Sequence, residues 1–256
     1  MCTLTLAWQV FADAPVVVAA NRDERSDRAS EPPCRTGSDP AVVAPRDAEA
    51  GGTWIGHNDA GLFVGITNRP TEGTPAERSR GLLVDDALRE FDARAAAELV
   101  ERAVDADAYD GFNLVVADGE SAFLFEWDGD FRRTRLGPGV HVVVNNGAAL
   151  GGGGHVADAF VVPEGPAAEC ATERADDARA VRAALTPEPG EASAAWLDRA
   201  GDVLADHDVG VCIHAEGYGT RSSSLLRLGK TPEYLFADGP PCETPYRPVD
   251  AGEGQV

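Results

Sequence analysis

Met1-Cys2-Thr3-Leu4-Thr5-Leu6-Ala7-Trp8-Gln9-Val10-Phe11 opens the chain, and after the turn Ala12-Asp13-Ala14-Pro15 it continues as Val16-Val17-Val18-Ala19-Ala20-Asn21-Arg22-Asp23-Glu24. The first run is apolar or alternating. The second is apolar and β-branched until it stops abruptly in four polar residues. Together they predict a β-hairpin whose second strand carries residues 21–24 to its C-terminal end, beside the start of the first strand. Cys2 has a small side chain, so loss of the preceding methionine is expected. That leaves a thiol and an α-amine on one residue, a nucleophile with its own base.

Outward from this hairpin, residues 25–45 have no period and carry Pro32-Pro33, Gly37 and Asp39-Pro40, which predicts a loop. Residues 51–56 and 61–68 predict a second hairpin, with a turn at residues 57–60, ending in Asn68-Arg69-Pro70. Helical spacing of Leu82, Leu83 and Ala87, then of Ala95, Leu99 and Ala103, predicts two helices with Ser79 and Asp92 as N-caps. Four short strands over 113–117, 122–127, 131–135 and 140–144 read as a meander that ends in Asn145-Asn146-Gly147. A flexible glycine-rich stretch at 148–154 and alanine-rich helices over 172–185 and 192–206 follow. Then come strands over 209–213, 222–228 and 234–236 and a loose Pro-rich tail at 239–256. Helices grouped between blocks of antiparallel strands imply an α+β layered fold in one domain, residues 1–238, and not a doubly wound parallel sheet.

The 256 residues include 22 Lys+Arg against 43 Asp+Glu, for a net charge of -21, and Lys230 is the single lysine. Such a surface repels nucleic acid and anionic membrane, and its self-repulsion is screened by salt, as in a halophilic-type cytoplasmic protein. No apolar run approaches a bilayer span and no basic segment precedes an apolar one, so neither a membrane helix nor a signal peptide is expected. The five cysteines are widely spaced without a C-x-x-C pair, and the five histidines lack ligand spacing. No disulfide framework, metal site or cofactor is therefore expected.

Met1-Cys2, Asn21-Arg22-Asp23-Glu24, Gly51-Gly52-Thr53-Trp54-Ile55-Gly56, Thr67-Asn68-Arg69 and Tyr218-Gly219-Thr220-Arg221-Ser222-Ser223 together resemble the NRDE family, also called the transport and Golgi organisation protein 2 family. That family in turn resembles the N-terminal-nucleophile (Ntn) hydrolases of the choloylglycine hydrolase branch. The resemblance implies a four-layer α-β-β-α sandwich that cleaves linear amides with a cysteine at position 2. It also implies catalytic roles for Cys2, Asp23, Asn68, Asn145 and Arg221. One departure is clear: that branch has an arginine where this chain has Ala20, and Arg22 lies inside the motif instead.

In chemical terms, Arg22 and Arg221 would favour the thiolate, Asp23 would accept from the amine, and Asn68 and Asn145 would donate to an oxyanion. Asn21, Arg22, Thr53, Trp54, Arg69, Tyr218 and Thr220 are the expected substrate contacts. Each residue also has a plainer reading. Cys2 can be a strand residue, Arg22 to Glu24 a salt-bridge cluster, the asparagines turn formers and Gly51-Gly52 a bend over a core tryptophan. The function classes left open are a hydrolase of a linear amide or thioester and, from the family resemblance, a non-catalytic protein that binds and traffics haem, acyl-CoA or lipid at the same residues. In the carrier, Cys2 or His214 would be the haem ligand.

Overall fold

The opening hairpin forms as its sequence dictates: β1 (Thr3–Trp8) and β2 (Val16–Arg25) pair antiparallel, Thr3 opposite Asn21 and Leu6 opposite Val18. The computed structural model describes residues 2–71, 76–152, 158–164 and 167–250. The chain divides into two compact units, one built from the stretches up to Ser26 and from Gly137 to Pro248, the other centred on Asp27–Leu136.

In the first unit the hairpin lies at the middle of a nine-stranded antiparallel sheet. β10 (Gly139–Val144) pairs with β1, with Thr3 opposite Val144. β14 (Tyr218–Leu228) pairs with β2, with Ser223 opposite Asn21. Beyond β10 lie β11 (Gly147–Ala149) and β12 (Ala159–Phe160); beyond β14 lie β15 (Glu233–Ala237) and β16 (Arg247–Pro248), and β13 (His214–Ala215) pairs with β14. One sheet face carries Ala7, Val17, Ala19, Val142, Val144 and Leu225. It packs against Ala178, Val181 and Leu185 of α3 (Ala168–Ala184 and its C-cap) and Trp196, Leu197, Ala200 and Leu204 of α4 (Ser193–Ala205). Trp196 is wholly buried and donates its indole N–H to Leu185 O at 2.8 Å, so the large apolar ring also has its polar atom satisfied.

The second unit is a seven-stranded antiparallel sheet in the order β3 (Ser30–Thr36), β4 (Val42–Asp47), β5 (Ile55–Asn58), β6 (Phe63–Asn68), β7 (Phe112–Ala117), β8 (Ala122–Trp127), β9 (Phe131–Arg135). Its core joins Leu62, Val64, Phe112, Leu114 and Phe125 to α1 (Arg80–Ala87) and α2 (Ala93–Ala106). Ser79 and Asp92 cap these helices, accepting from Gly81 N and from Arg94 N and Ala95 N. The Gly51-Gly52 bend is structural. Both residues have positive φ, and a Cβ on Gly52 would sit 2.2 Å from the Gly81 backbone, so this turn exists only without a side chain.

The structure corrects five local expectations. Residues 25–45 contain the end of β2, all of β3 and most of β4. β3 is an edge strand whose register shifts between Glu31 and Cys34, and that irregularity accommodates Pro32-Pro33. The strand expected at 51–56 starts at Ile55, because the glycine bend occupies its first half. The strand expected at 209–213 is instead a 3-10 turn, His207–Val209, capped by Gly210 at φ 78°, followed by irregular chain. Within the glycine-rich stretch, β11 and β12 extend the sheet, and residues 153–157 lie outside the described residues. The tail is tied down as far as β16, which pairs with β15, and Tyr246 OH shares a 2.7 Å hydrogen bond with Ser223 Oγ; residues 251–256 lie outside the described residues. Among the described residues, no helix is long and apolar enough to cross a membrane.

Candidate functional site

Three strands of the first unit bring their polar ends to Cys2. Continuing the β1–β10 register one step past Thr3 and Val144 sets Cys2 against Asn145, and the Cys2 backbone N donates to Asn145 Oδ1 at 2.8 Å. From the other side, the Cys2 thiol donates to the Asp23 carbonyl across 3.7 Å. Asp23 is held in turn by β14: Thr220 Oγ1 donates to Asp23 Oδ1 at 2.6 Å and the Tyr218 hydroxyl donates to the Asp23 carbonyl at 3.3 Å. A β-bulge between Thr220 and Ser222 makes this possible. It keeps Thr220 opposite Asp23 and Ser222 opposite Arg22, and leaves Arg221 as the extra, exposed residue.

The electrostatics run against an unassisted thiolate. Burial pushes the Cys2 thiol above its ordinary value and the Asp23 carboxylate adds to that, while the Arg22 charge pulls it back. Burial also raises the Asp23 carboxyl, which the Thr220 hydrogen bond and the charge of Arg174 on α3 oppose. Tyr218 is pushed up strongly, by burial first and then by Cys2 and Asp23, so it stays a phenol and a donor. A thiol so placed is protonated near neutrality, and its chemistry needs a base within reach.

The expected site residues divide between the units. Cys2, Asn21, Arg22, Asp23, Asn145, Tyr218, Thr220 and Arg221 belong to the first. Asn21 is turned to the helix side, where its amide donates to Leu204 O at 2.9 Å and Val211 O at 2.8 Å, clamping the end of α4. Arg22 is buried, with Glu24 at 3.9 Å. Asn145 meets Cys2 through its carbonyl oxygen, so toward Cys2 it orients the main-chain nitrogen. Thr53, Trp54, Asn68 and Arg69 belong to the second unit. Thr53 Oγ1 donates to Ile55 O at 3.0 Å, and Trp54 packs on the second core. Asn68 ends β6 and is exposed. Arg69 is buried and engages Glu126 and Asp128 at 2.9 Å each and Asn113 at 2.8 Å. Sequence reasoning missed Arg174, because an alanine-rich helix gives no sign of which charged residue faces the sheet. Of the two haem-ligand positions, His214 lies away from Cys2, 3.2 Å from the thiol of Cys242.

Among solved structures the chain is similar to a mutant of conjugated bile acid hydrolase from Clostridium perfringens, with TM-score 0.57 and 12% identity over 100% of this chain and 94% of that one. It is also similar to penicillin V acylase from Agrobacterium tumefaciens, with TM-score 0.54 and 14% identity over 93% and 83%. An N-acylethanolamine-hydrolyzing acid amidase ortholog from Caenorhabditis elegans gives TM-score 0.56 and 10% identity over 88% and 92%. At such identities the likeness is one of fold, and it places the two antiparallel sheets with their helices in the Ntn hydrolase fold. In sequence, a Mus musculus Transport and Golgi organization 2 homolog is 33% identical over 108 residues, 40% of this chain and 38% of the relative. A Bos taurus homolog is 31% identical over 140 residues, 51% and 50%. The matches span half or less of the length of these curated relatives. The family profile described as Transport and Golgi organisation 2 matches residues 1–150, which takes in Cys2, the Asn21-Arg22-Asp23-Glu24 strand end, Asn68 and Asn145. The chain therefore belongs to the Transport and Golgi organisation 2 family.

Proposed function

We propose that this protein is an Ntn-type cysteine hydrolase of a linear amide or thioester, working through Cys2 once the Met1–Cys2 bond has been cleaved. The observation that carries the reading is the pairing of the Cys2 nitrogen with Asn145 Oδ1 at 2.8 Å while the thiol of the same residue lies against Asp23. Cleavage turns that nitrogen into a primary amine already held by an acceptor. The amine takes the thiol proton, and the sulfur attacks the acyl carbonyl. The leaving amine or thiol departs with the proton, and water then releases the acyl group from sulfur. Arg22 favours the charged sulfur during attack, as its downward pull on the thiol implies. Arg221 is assigned by family resemblance to favour the thiolate beside Arg22. The names of the structural neighbours, a hydrolase, an acylase and an amidase, support this class of acyl chemistry.

A second reading, a carrier of haem, acyl-CoA or lipid at the same residues, draws on one observation: burial and Asp23 hold the thiol above its ordinary pKa, which suits a resting site better than a reactive one. Assay of the processed chain against N-acyl amides and acyl thioesters of graded chain length separates the two. The hydrolase reading predicts turnover that Cys2→Ala abolishes. Ligand retention without turnover, or turnover equal in Cys2→Ala, contradicts it.

A further inference from the structure

Four metal-ligating side chains that the Cys2 chemistry does not use converge elsewhere in the first unit. His207 stands in the 3-10 turn after α4, Cys212 in the irregular chain behind it, His214 at the start of β13, and Cys242 in the turn before β16. Each offers one ligand atom, and the four atoms all lie within 4.8 Å of one another. The Cys212 and Cys242 sulfurs are 3.6 Å apart, and His214 Nε2 is 3.7 Å from the first and 3.2 Å from the second. The rings of His207 and His214 have centroids 5.1 Å apart. Zn–S bonds of ~2.3 Å and Zn–N bonds of ~2.0–2.1 Å in a tetrahedron set ligand atoms roughly 3.3–3.8 Å apart, so these separations are close to those of a closed shell. Two thiols and two imidazoles are the donors of a borderline-soft ion and not of calcium or magnesium.

The frame around these side chains is built from independent pieces. Ile213 N donates to Thr220 Oγ1 at 2.9 Å and Thr220 N donates to Ile213 O at 2.9 Å, which fixes the chain between Cys212 and His214. Glu243 N and Thr244 N donate to Pro240 O at 3.0 and 2.9 Å, which closes the turn carrying Cys242. Ligands spaced at 207, 212, 214 and 242 have no short motif, and that is why the sequence showed no site: the fourth ligand comes from a turn far along the chain.

We propose that His207, Cys212, His214 and Cys242 form a tetrahedral site for a divalent transition metal, zinc by its donor set. Four protein ligands fill the coordination sphere, so the ion is structural. Binding releases the thiol protons to solvent and ties the turn at 240–244 to the segment 207–214. That segment supports the Cys2 end of the sheet, since Asn21 donates to Val211 O and Thr220, bonded to Ile213, also holds Asp23.

The test uses the full chain, reduced and stripped of metal, titrated with cobalt(II) and then zinc(II). The site predicts one equivalent of cobalt with intense tetrahedral d–d bands and thiolate-to-cobalt charge transfer, displaced by zinc. It also predicts a rise in Tm of roughly 5–10 °C at a hundredfold excess of zinc over Kd. Cys242→Ser and His214→Ala, both at exposed positions, weaken cobalt binding at least about tenfold, whereas Cys34→Ser and Cys170→Ser leave the spectrum unchanged. Weak octahedral bands only, an unchanged spectrum in Cys242→Ser, or a Cys212–Cys242 disulfide in the freshly isolated chain would overturn the proposal.

Discussion

Cys2 owes its surroundings to strand register. A period of two on β2 puts Arg22 and Asp23 on opposite faces, and the antiparallel pairing sets the start of β1 beside them, so their closeness to Cys2 is legible in the sequence. The use each polar residue makes of that position is not legible. Asn21 and Asp23 share a face, yet Asn21 clamps Leu204 O and Val211 O while Asp23 takes the Thr220 hydroxyl. Thr220, expected from sequence as a substrate contact, is the residue that holds Asp23, because a bulge no sequence signal announces keeps it in register. Asn145 is the most specific partner of the Cys2 nitrogen, and a hydrogen bond to a charged group contributes about 1.5–3 kcal/mol. Asn145→Ala is therefore expected to lower kcat/KM for the acyl substrate by roughly 10- to 150-fold with the fold intact. Steady-state kinetics alongside circular dichroism check this.

At the scale of elements, the helices and the meander follow from spacing and caps, since apolar periodicity and N-cap chemistry are local. The misread segments depend on partners far along the chain. β3 forms because β4 offers it an edge, despite Pro32-Pro33, and the alternation of residues 209–213 yields to the left-handed Gly210. Arg69 illustrates the same point. It follows Asn68 in a family motif, but its guanidinium ties β6 to β7 and β8 through Asn113, Glu126 and Asp128, with Glu126 only 4% exposed. Removing it leaves the buried Glu126 carboxylate only the half-exposed Arg132 at 3.9 Å, so Arg69→Ala should cost about 3 kcal/mol in urea denaturation.

His141 on β10 gives the sign of a pH effect. It is buried, and its Nε2 lies 2.8 Å from Gly137 O while Nδ1 accepts from Gly151 N at 3.3 Å, which assigns the neutral Nε2–H tautomer. Burial, above all, lowers its pKa in the folded state. The native chain then binds fewer protons than the unfolded one below pH about 6.5, so this stability is complete above that pH and is lost as pH falls toward the folded pKa. Denaturation at pH about 7.5 and about 5.5 should show a drop that His141→Gln makes smaller.

For the whole molecule, the α+β class was readable from the order of element types, and the acidic composition from counting. The division into two units was not, because the first is assembled from both ends of the chain around a stretch that leaves after β2 and returns at β10. A net charge of -21 spread over 256 residues repels itself in any compact state. The Tm should therefore rise as KCl is raised from about 0.01 M to about 1 M, over which the Debye length falls from ~30 to ~3 Å. Differential scanning calorimetry across that series checks the direction.

A Cys2 that works with its own amine is a 1,2-aminothiol, and that group has a reaction of its own. Condensation with 2-cyanobenzothiazole, read by intact mass and peptide mapping on the unfolded chain, demands a free amine and a thiol on the same residue, so the internal cysteines give no stable product. One equivalent of adduct is expected on an N-terminal Cys2, lost in Cys2→Ser. A chain that retains Met1 and forms no adduct would contradict it.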